Sequence, residues 1–285
     1  MFDVEHLIKT ALTEDIGWGD VTTESCVPPE KNIMGEFFAK EPMVVCGLFI
    51  LQRVFDEICK RYGDAQVVVK PRCKDGDEVR AGTILADVSG SARAILSGER
   101  VALNLLQLLS GVATRTREAV AQIAGTKTKI CDTRKTLPGL RVLQKYAVRV
   151  GGGCNHRMGL SDGVLIKDNH IAAAGGIANA VSAMRDSIPH TMKIEVEATT
   201  LEEVLQALGA GADVILFDNM DNETMTEAVR IINGCAMTEA SGNMGQKDLR
   251  EVAATGVDLI SIGGLTHSVR AADISLKFEV SPKSL

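Results

Sequence analysis

From residue 128 onward one pattern repeats: a short β-prone run, then a segment long enough for a helix. The runs are 128–131, 164–166, 193–197, 213–217, 236–239 and 258–262. Strands separated by helix-length connections have room to cross over and pair in parallel, so the repeat predicts a parallel sheet. With this many units in succession a closed α/β barrel is favoured over an open, doubly wound sheet, which stays as the alternative.

In α/β barrels the chemistry sits on the loops at the C-terminal ends of the strands. The first run ends in Asp132, Thr133, Arg134 and Lys135, and the second in Lys167, Asp168, Asn169 and His170. The third carries Glu195 and Glu197, and the fourth ends in Asp218 and Asn219. The fifth runs from Glu239 into Ser241, Gly242 and Asn243, and the sixth into Gly263, Gly264 and Leu265. Solvation alone does not place six polar endings in register. Glu195 and Glu197 share one face of their strand, so one can be a ligand and the other a supporting or salt-bridged acid. Glu197 and Asp218 are the acids best placed for sugar hydroxyls or a hydrated Mg²⁺, because oxygen-only donors suit a hard cation that keeps its waters. The last two endings are small-residue turns before helical patterns, where backbone N–H groups can point at a phosphate.

Residues 131–171 hold seven Lys or Arg (Arg134, Lys135, Arg141, Lys145, Arg149, Arg157, Lys167) against three Asp. The whole chain carries a net charge of −6, so this local excess points to a pocket that focuses its field on a small anion. The clusters at 132–135, 155–157 and 167–170 are expected to be loops converging on one site. Cys131 and Cys154 flank them and read as small packing residues.

Before the repeat, Val4, Leu7, Ile8, Ala11 and Leu12 fall at helical spacing. The turn at 15–20 reads as a cap and loop start. Strands are expected at 33–39 and 43–46, then a helix through Leu48, Leu51, Val54, Phe55 and Ile58 that Gly63 stops. Residues 65–90 alternate between turn signals at Asp75-Gly76 and Ala81-Gly82. They resemble the β elements of lipoyl-type carriers, with Lys74 at the turn, but they run straight into helices and are not an independent module. Two long helical patterns follow, at 91–111 and 112–125. Arg100, in the first, reads either as an exposed helix charge or as a cation presented to an anionic pocket of a neighbouring subunit.

With 285 residues the chain can bury a large core without disulfides. Its seven cysteines show no CxxC spacing or zinc-like His interval, which predicts a reduced, cytoplasmic protein without a structural metal. Charges throughout residues 1–17 lead to the expectation of no secretory signal, and no apolar run in the sequence reaches membrane-spanning length. A pI near 5.5 and 4% aromatic residues argue against nucleic-acid binding.

The segments GDVTTE, ERVALN, SGVAT, DTRKTLPGLRVLQKYAVRVGGGCNHRMGLSDGVLIKDNH, IEVE, LFDNM, EASGN and SIGGLTHSV closely resemble the carboxylating nicotinate-nucleotide pyrophosphorylases, or quinolinate phosphoribosyltransferases. The resemblance implies a type II phosphoribosyltransferase: an N-terminal α/β sandwich over 1–110, to which a tail at 270–285 returns, and an incomplete, seven-strand α/β barrel over 111–269. It implies a homodimer or larger homo-oligomer in which Arg100 enters the neighbour's site. It further implies that quinolinate reacts with phosphoribosyl pyrophosphate, with Mg²⁺, to give nicotinate mononucleotide, pyrophosphate and CO₂ for NAD synthesis. By the same resemblance Arg100, Arg134 and Arg157, with His156, face the two quinolinate carboxylates; Lys135 and Lys167 lie near pyrophosphate and ribose. Glu197 and Asp218 match the ribose and Mg²⁺ acids, holding the metal through water, and Ser241, Gly242, Asn243, Gly263, Gly264, Leu265 and His267 match the 5′-phosphate region. In that chemistry positive charge develops on the ribose carbon as pyrophosphate leaves, and the resulting pyridinium acts as an electron sink for decarboxylation. The protein then needs electrostatic positioning and water exclusion and no nucleophile. Asn243 stands where some relatives have a second Gly, and Arg115 and Arg117 receive no role. The alternatives are a same-fold phosphoribosyltransferase of molybdenum-operon type acting on another base, and a non-catalytic barrel that senses a phosphorylated metabolite.

Overall fold

The computed structural model describes residues 4–63 and 65–278. In chain order it forms helices α1 (Val4–Ile16) and α2 (Val21–Cys26), strands β1 (Asn32–Ala39) and β2 (Met43–Val44), and helix α3 (Leu48–Cys59). Strands β3 (Val67–Pro71), β4 (Glu78–Val79) and β5 (Ile84–Ser91) lead into the long helix α4 (Ala92–Gln122). Then follow β6 (Lys129–Cys131), α5 (Arg141–Val150), β7 (Val164–Ile166), α6 (Asp168–Ala174), α7 (Ile177–Ser187), β8 (Ile194–Ala198) and α8 (Leu201–Gly209). The chain continues through β9 (Val214–Asp218), α9 (Asn222–Ile232), β10 (Met237–Ser241), α10 (Leu249–Ala254), β11 (Leu259–Ser261), α11 (Gly264–His267) and β12 (Ile274–Phe278).

These elements divide into two compact units. One comprises residues 4–115, Pro138–Gly151 and 269–278; the other comprises Thr116–Leu137 and Gly152–Ser268. The expected division at 110/111 leaves 138–151 with the barrel; by contacts the first stretch runs to Arg115 and helix α5 groups with the first unit. Of the tail expected at 270–285, residues 279–285 lie outside the described residues.

The first unit holds an antiparallel sheet in the order β12-β1-β5-β3. Helix α3 covers it with the stripe Leu48, Leu51, Val54, Phe55 and Ile58, all at most 5% exposed, and the rings of Phe37 and Phe55 meet at 6.4 Å. Burial of this stripe, at about 1.5–3 kcal/mol per large apolar side chain, outweighs any single hydrogen bond in the unit. The Asp75 carboxylate accepts from the Gly47 and Leu48 amides at the start of α3 and from the Tyr146 hydroxyl, so this turn serves as a helix cap. Asp20 likewise caps α2, accepting from Thr23 N–H and the Ser97 hydroxyl.

The two helical patterns at 91–111 and 112–125 are one helix of 31 residues, α4. Gly111 marks a close approach within it, not a break. A Cβ there would meet the Arg270 carbonyl oxygen at 2.2 Å, so the usual ~1 kcal/mol preference for Ala in a helix is outweighed.

In the second unit all six expected strands form. They make one parallel sheet in the order β6-β11-β10-β9-β8-β7. On the other side of β6, Cys154 forms a single parallel bridge to Cys131: its N–H donates to Ile130 O and its carbonyl accepts from Asp132 N–H. Six strands and this one-residue seventh position correspond to the incomplete, seven-strand barrel that the family resemblance implies, and not to the closed barrel expected from the repeat, since no pairing joins β7 back to β6 among the described residues. No described helix is long and apolar enough to cross a membrane.

Candidate active site

Alternation along the strands decides what faces the barrel interior. On β8, Ile194, Val196 and Ala198 are fully buried on one face, which leaves Glu195 and Glu197 on the other. On β9, Ile215 and Phe217 are buried while Leu216 and Asp218 line a cavity; on β10, Ala240 is buried while Glu239 and Ser241 line it. The cavity has a volume of about 550 Å³ and is also lined by Thr133, Arg134, Lys135, His156, Arg157, Leu165, Lys167, Asn219, Gly242, Asn243 and Ser261. All of these belong to the second unit. The clusters at 132–135, 155–157 and 167–170 each contribute to it. Of the seven cations in 131–171, Arg141, Lys145 and Arg149 lie instead on α5, in the first unit.

Register stacks the interior in layers. Glu197 and Glu239 both pair with Leu216, so the three form one row across β8, β9 and β10. Glu195, paired with Leu165 on β7, lies one layer below, and Asp218, paired with Ser241, one layer above. At the mouth the Lys167 ammonium is ion-paired with Glu197.

Beneath the mouth the loop after Cys154 inserts His156 between two acids. Its Nε2 lies 2.9 Å from Glu195 Oε2 and 3.8 Å from Glu239 Oε1. Its Nδ1 accepts the Arg157 backbone N–H at 2.8 Å, so the ring proton sits on Nε2 and is donated to Glu195. Asp132 fixes this loop by accepting from the His156 amide and the Asn155 side chain. The Oε1 atoms of Glu195 and Glu239 are buried without a hydrogen-bond partner. Burial, and then the Glu195 charge, push the Glu239 carboxyl up to about 7, against the opposing effects of His156 and Ser261. Burial lowers the pKa of the Arg157 guanidinium, as does the neighbouring Arg134; Glu195 and Asp162 oppose the shift. The Cys131 thiol holds the Cys154 pKa down to about 7 through a hydrogen bond.

His156, Glu195 and Glu239 are the one trio of potential metal ligands within bonding reach of a common ion among the described residues. The tautomer disfavours a metal there: to ligate through Nε2 the ring would move its proton to Nδ1, against the Arg157 N–H. Glu197 and Asp218 offer two carboxylates and no closed cage, the donor set of an ion that keeps waters and substrate oxygens.

Beyond β9 and β10 the backbone turns left-handed at Asn219 (φ 55°), Gly242 (φ 93°) and Asn243 (φ 54°). Asn219 donates its N–H to Ser241 O and its side-chain amide to Asp218 Oδ2 at 2.8 Å. The helical patterns expected after the small-residue turns are short: a 3₁₀ turn at Met244–Gln246, and the four-residue α11. Gly263 and Gly264 begin α11, Leu265 is buried, and exposed His267 bonds Ser268. None of these four lines the cavity. Thr266, in the same helix, donates its hydroxyl to Lys135 O behind the cavity. Arg100 is exposed on α4, in the first unit. The approach of His156 to Glu239 is not expected from the sequence; the signal available for it is a second inward-facing acid on a strand expected to be interior.

Residues 20–110 match the family described as Quinolinate phosphoribosyl transferase, N-terminal domain, and residues 112–277 match its C-terminal domain. A Bacillus subtilis protein named a probable nicotinate-nucleotide pyrophosphorylase (carboxylating) is 45% identical over 99% of this chain and 96% of its own length. The structure of the nicotinate-nucleotide pyrophosphorylase from Francisella tularensis is similar with a TM-score of 0.89 at 39% identity, covering 97% of this chain and 96% of that one. The Ehrlichia chaffeensis nicotinate-nucleotide pyrophosphorylase gives 0.90 at 40% identity, covering 97% and 99%.

Proposed function

The chain belongs to the quinolinate phosphoribosyltransferase family, and on that premise we propose that, in the cytoplasm, it joins quinolinate to phosphoribosyl pyrophosphate for NAD synthesis. The products are nicotinate mononucleotide, pyrophosphate and CO₂. The observation that carries this reading is the gathering of Arg134, Lys135, Arg157 and Lys167 with Glu197 and Asp218 around one cavity.

Arg134 and Arg157 repel each other, and two carboxylates on one ring relieve that repulsion while accepting planar, forked donors. Lys135 and Lys167 place point charges beside the leaving pyrophosphate. Glu197 and Asp218 face the ribose, with Asn219 orienting Asp218. Ser241, Gly242 and Asn243 receive the 5′-phosphate, supported by Gly263, Gly264, Leu265 and His267 behind Lys135. Mg²⁺, held by Glu197 and Asp218 through water, would offset the charge of the departing group. The assay is direct: CO₂ release from quinolinate is expected only with phosphoribosyl pyrophosphate and Mg²⁺ both present. Turnover of nicotinate at an equal rate would overturn the reading.

We also propose that the enzyme is a homo-oligomer with Arg100 reaching the neighbour's site; its exposure leaves it available. Mixing inactive Arg100→Ala and Arg134→Ala proteins is expected to restore part of the activity through hybrid dimers. No recovery after demonstrated subunit exchange would reject the shared site.

A further inference from the structure

The proposed reaction leaves one chemical role unfilled. When the carboxylate departs from the carbon beside the ring nitrogen, the electron pair of the broken C–C bond stays on that carbon. A proton must then arrive there. An arginine does not release one. The Lys167 ammonium is engaged by Glu197, and Lys135, the other cavity lysine, is assigned above to the pyrophosphate, whose charge holds its proton in place. His156 has its only ring proton on Nε2, bonded to Glu195, and losing it would leave an imidazolate.

Glu239 differs from all of these. It lines the cavity yet is 1% exposed, and its Oε1 has no hydrogen-bond partner. It lies in the same row as Glu197, 3.8 Å from His156 Nε2. The charged and titratable groups acting on it are Glu195 from β8, His156, and Cys154 and Cys131 from the β6 edge, with the Ser261 hydroxyl from β11. Arg157 acts on the pair through Glu195.

We propose, resting on the reaction assigned above, that Glu239 in its acid form protonates the ring carbon after its carboxylate has left. The Glu239 O–H bond breaks as the C–H bond forms, and Glu239 remains as carboxylate until a solvent proton restores it. The carboxyl is raised to about 7, so the acid form is populated below that pH and lost above it. Turnover therefore falls as pH rises through this group.

The test is Glu239→Gln, which keeps the shape and a hydrogen-bond donor but carries no transferable proton. Turnover is expected to fall about 10²-fold or more, the range of a lost general acid. The alkaline limb of the pH–rate profile should disappear, and the quinolinate KM should change little. In a single turnover stopped by acid, pyrophosphate should exceed nicotinate mononucleotide. Glu239→Asp should recover part of the rate and the alkaline limb. Wild-type turnover with that limb intact in Glu239→Gln overturns the assignment, and so does a raised KM with kcat unchanged, which would make Glu239 a wall of the cavity. Wild-type protein that releases no CO₂ from quinolinate overturns the assigned reaction itself.

Discussion

Arg157→Ala is expected to lower kcat/KM for quinolinate by about 10²–10³-fold, about 3–4 kcal/mol, inside the 2–5 kcal/mol range for truncating one member of a desolvated charge pair. The guanidinium is half-buried, donates from Nη1 to Gly163 O at 2.9 Å, and lies close enough to Glu195 and Arg134 to feel both charges. Removing it takes a forked donor from the dianion and leaves Glu195 with less compensation. The loss should fall on the quinolinate KM and on kcat, with the KM for phosphoribosyl pyrophosphate nearly unchanged. Arg157→Lys should recover less than about tenfold, because an ammonium keeps the charge but loses the planar fork and the anchor to Gly163. Steady-state kinetics with each substrate varied in turn checks this. A variant that loses affinity for phosphoribosyl pyrophosphate as strongly as for quinolinate would contradict the assignment, since Arg157 would then hold the loop and not the ring.

What was legible beforehand follows from period. The six barrel strands announce themselves by short apolar runs, and their interior faces by residues two apart, as with Glu195 and Glu197. Ten of the expected site residues line the cavity: Glu197, Asp218 and Ser241 by strand alternation, and the other seven because they stand on loops that follow strand ends or Cys154. Three features were not legible. The amphipathic pattern of 141–150 describes a helix but not the unit against which it packs. Gly111 looks like a helix break because its reason, the Arg270 carbonyl, lies far along the chain. His156 and Glu239 are also far apart in sequence, and only the strand order β8-β9-β10 and the loop after Cys154 bring them together.

Gly242→Ala is expected to be the most damaging single-methyl change in the site. The residue has φ 93°, and an added Cβ would meet Asn219 Oδ1 at 2.2 Å, Cγ at 2.6 Å and the backbone N at 2.8 Å. Left-handed strain and overpacking each cost about 1–3 kcal/mol, so a loss of about 2–4 kcal/mol in a urea melt follows if the loop yields partly. Activity should suffer more, because yielding moves Asn219, which bonds Asp218 Oδ2. The KM for phosphoribosyl pyrophosphate should rise and kcat fall, with the quinolinate KM least affected. Asn219→Ala separates the two effects. In the double variant the clash with Oδ1 is gone while the backbone contact and the φ strain remain, so stability should recover partly relative to Gly242→Ala. Activity should not recover, because Asp218 has lost the amide that orients it. Losses smaller than the sum of the two single variants, with stability partly recovered and turnover not, are the signature of direct contact in a double-mutant cycle. Additive losses in both would mean that Gly242 acts on the phosphate loop without passing through Asn219.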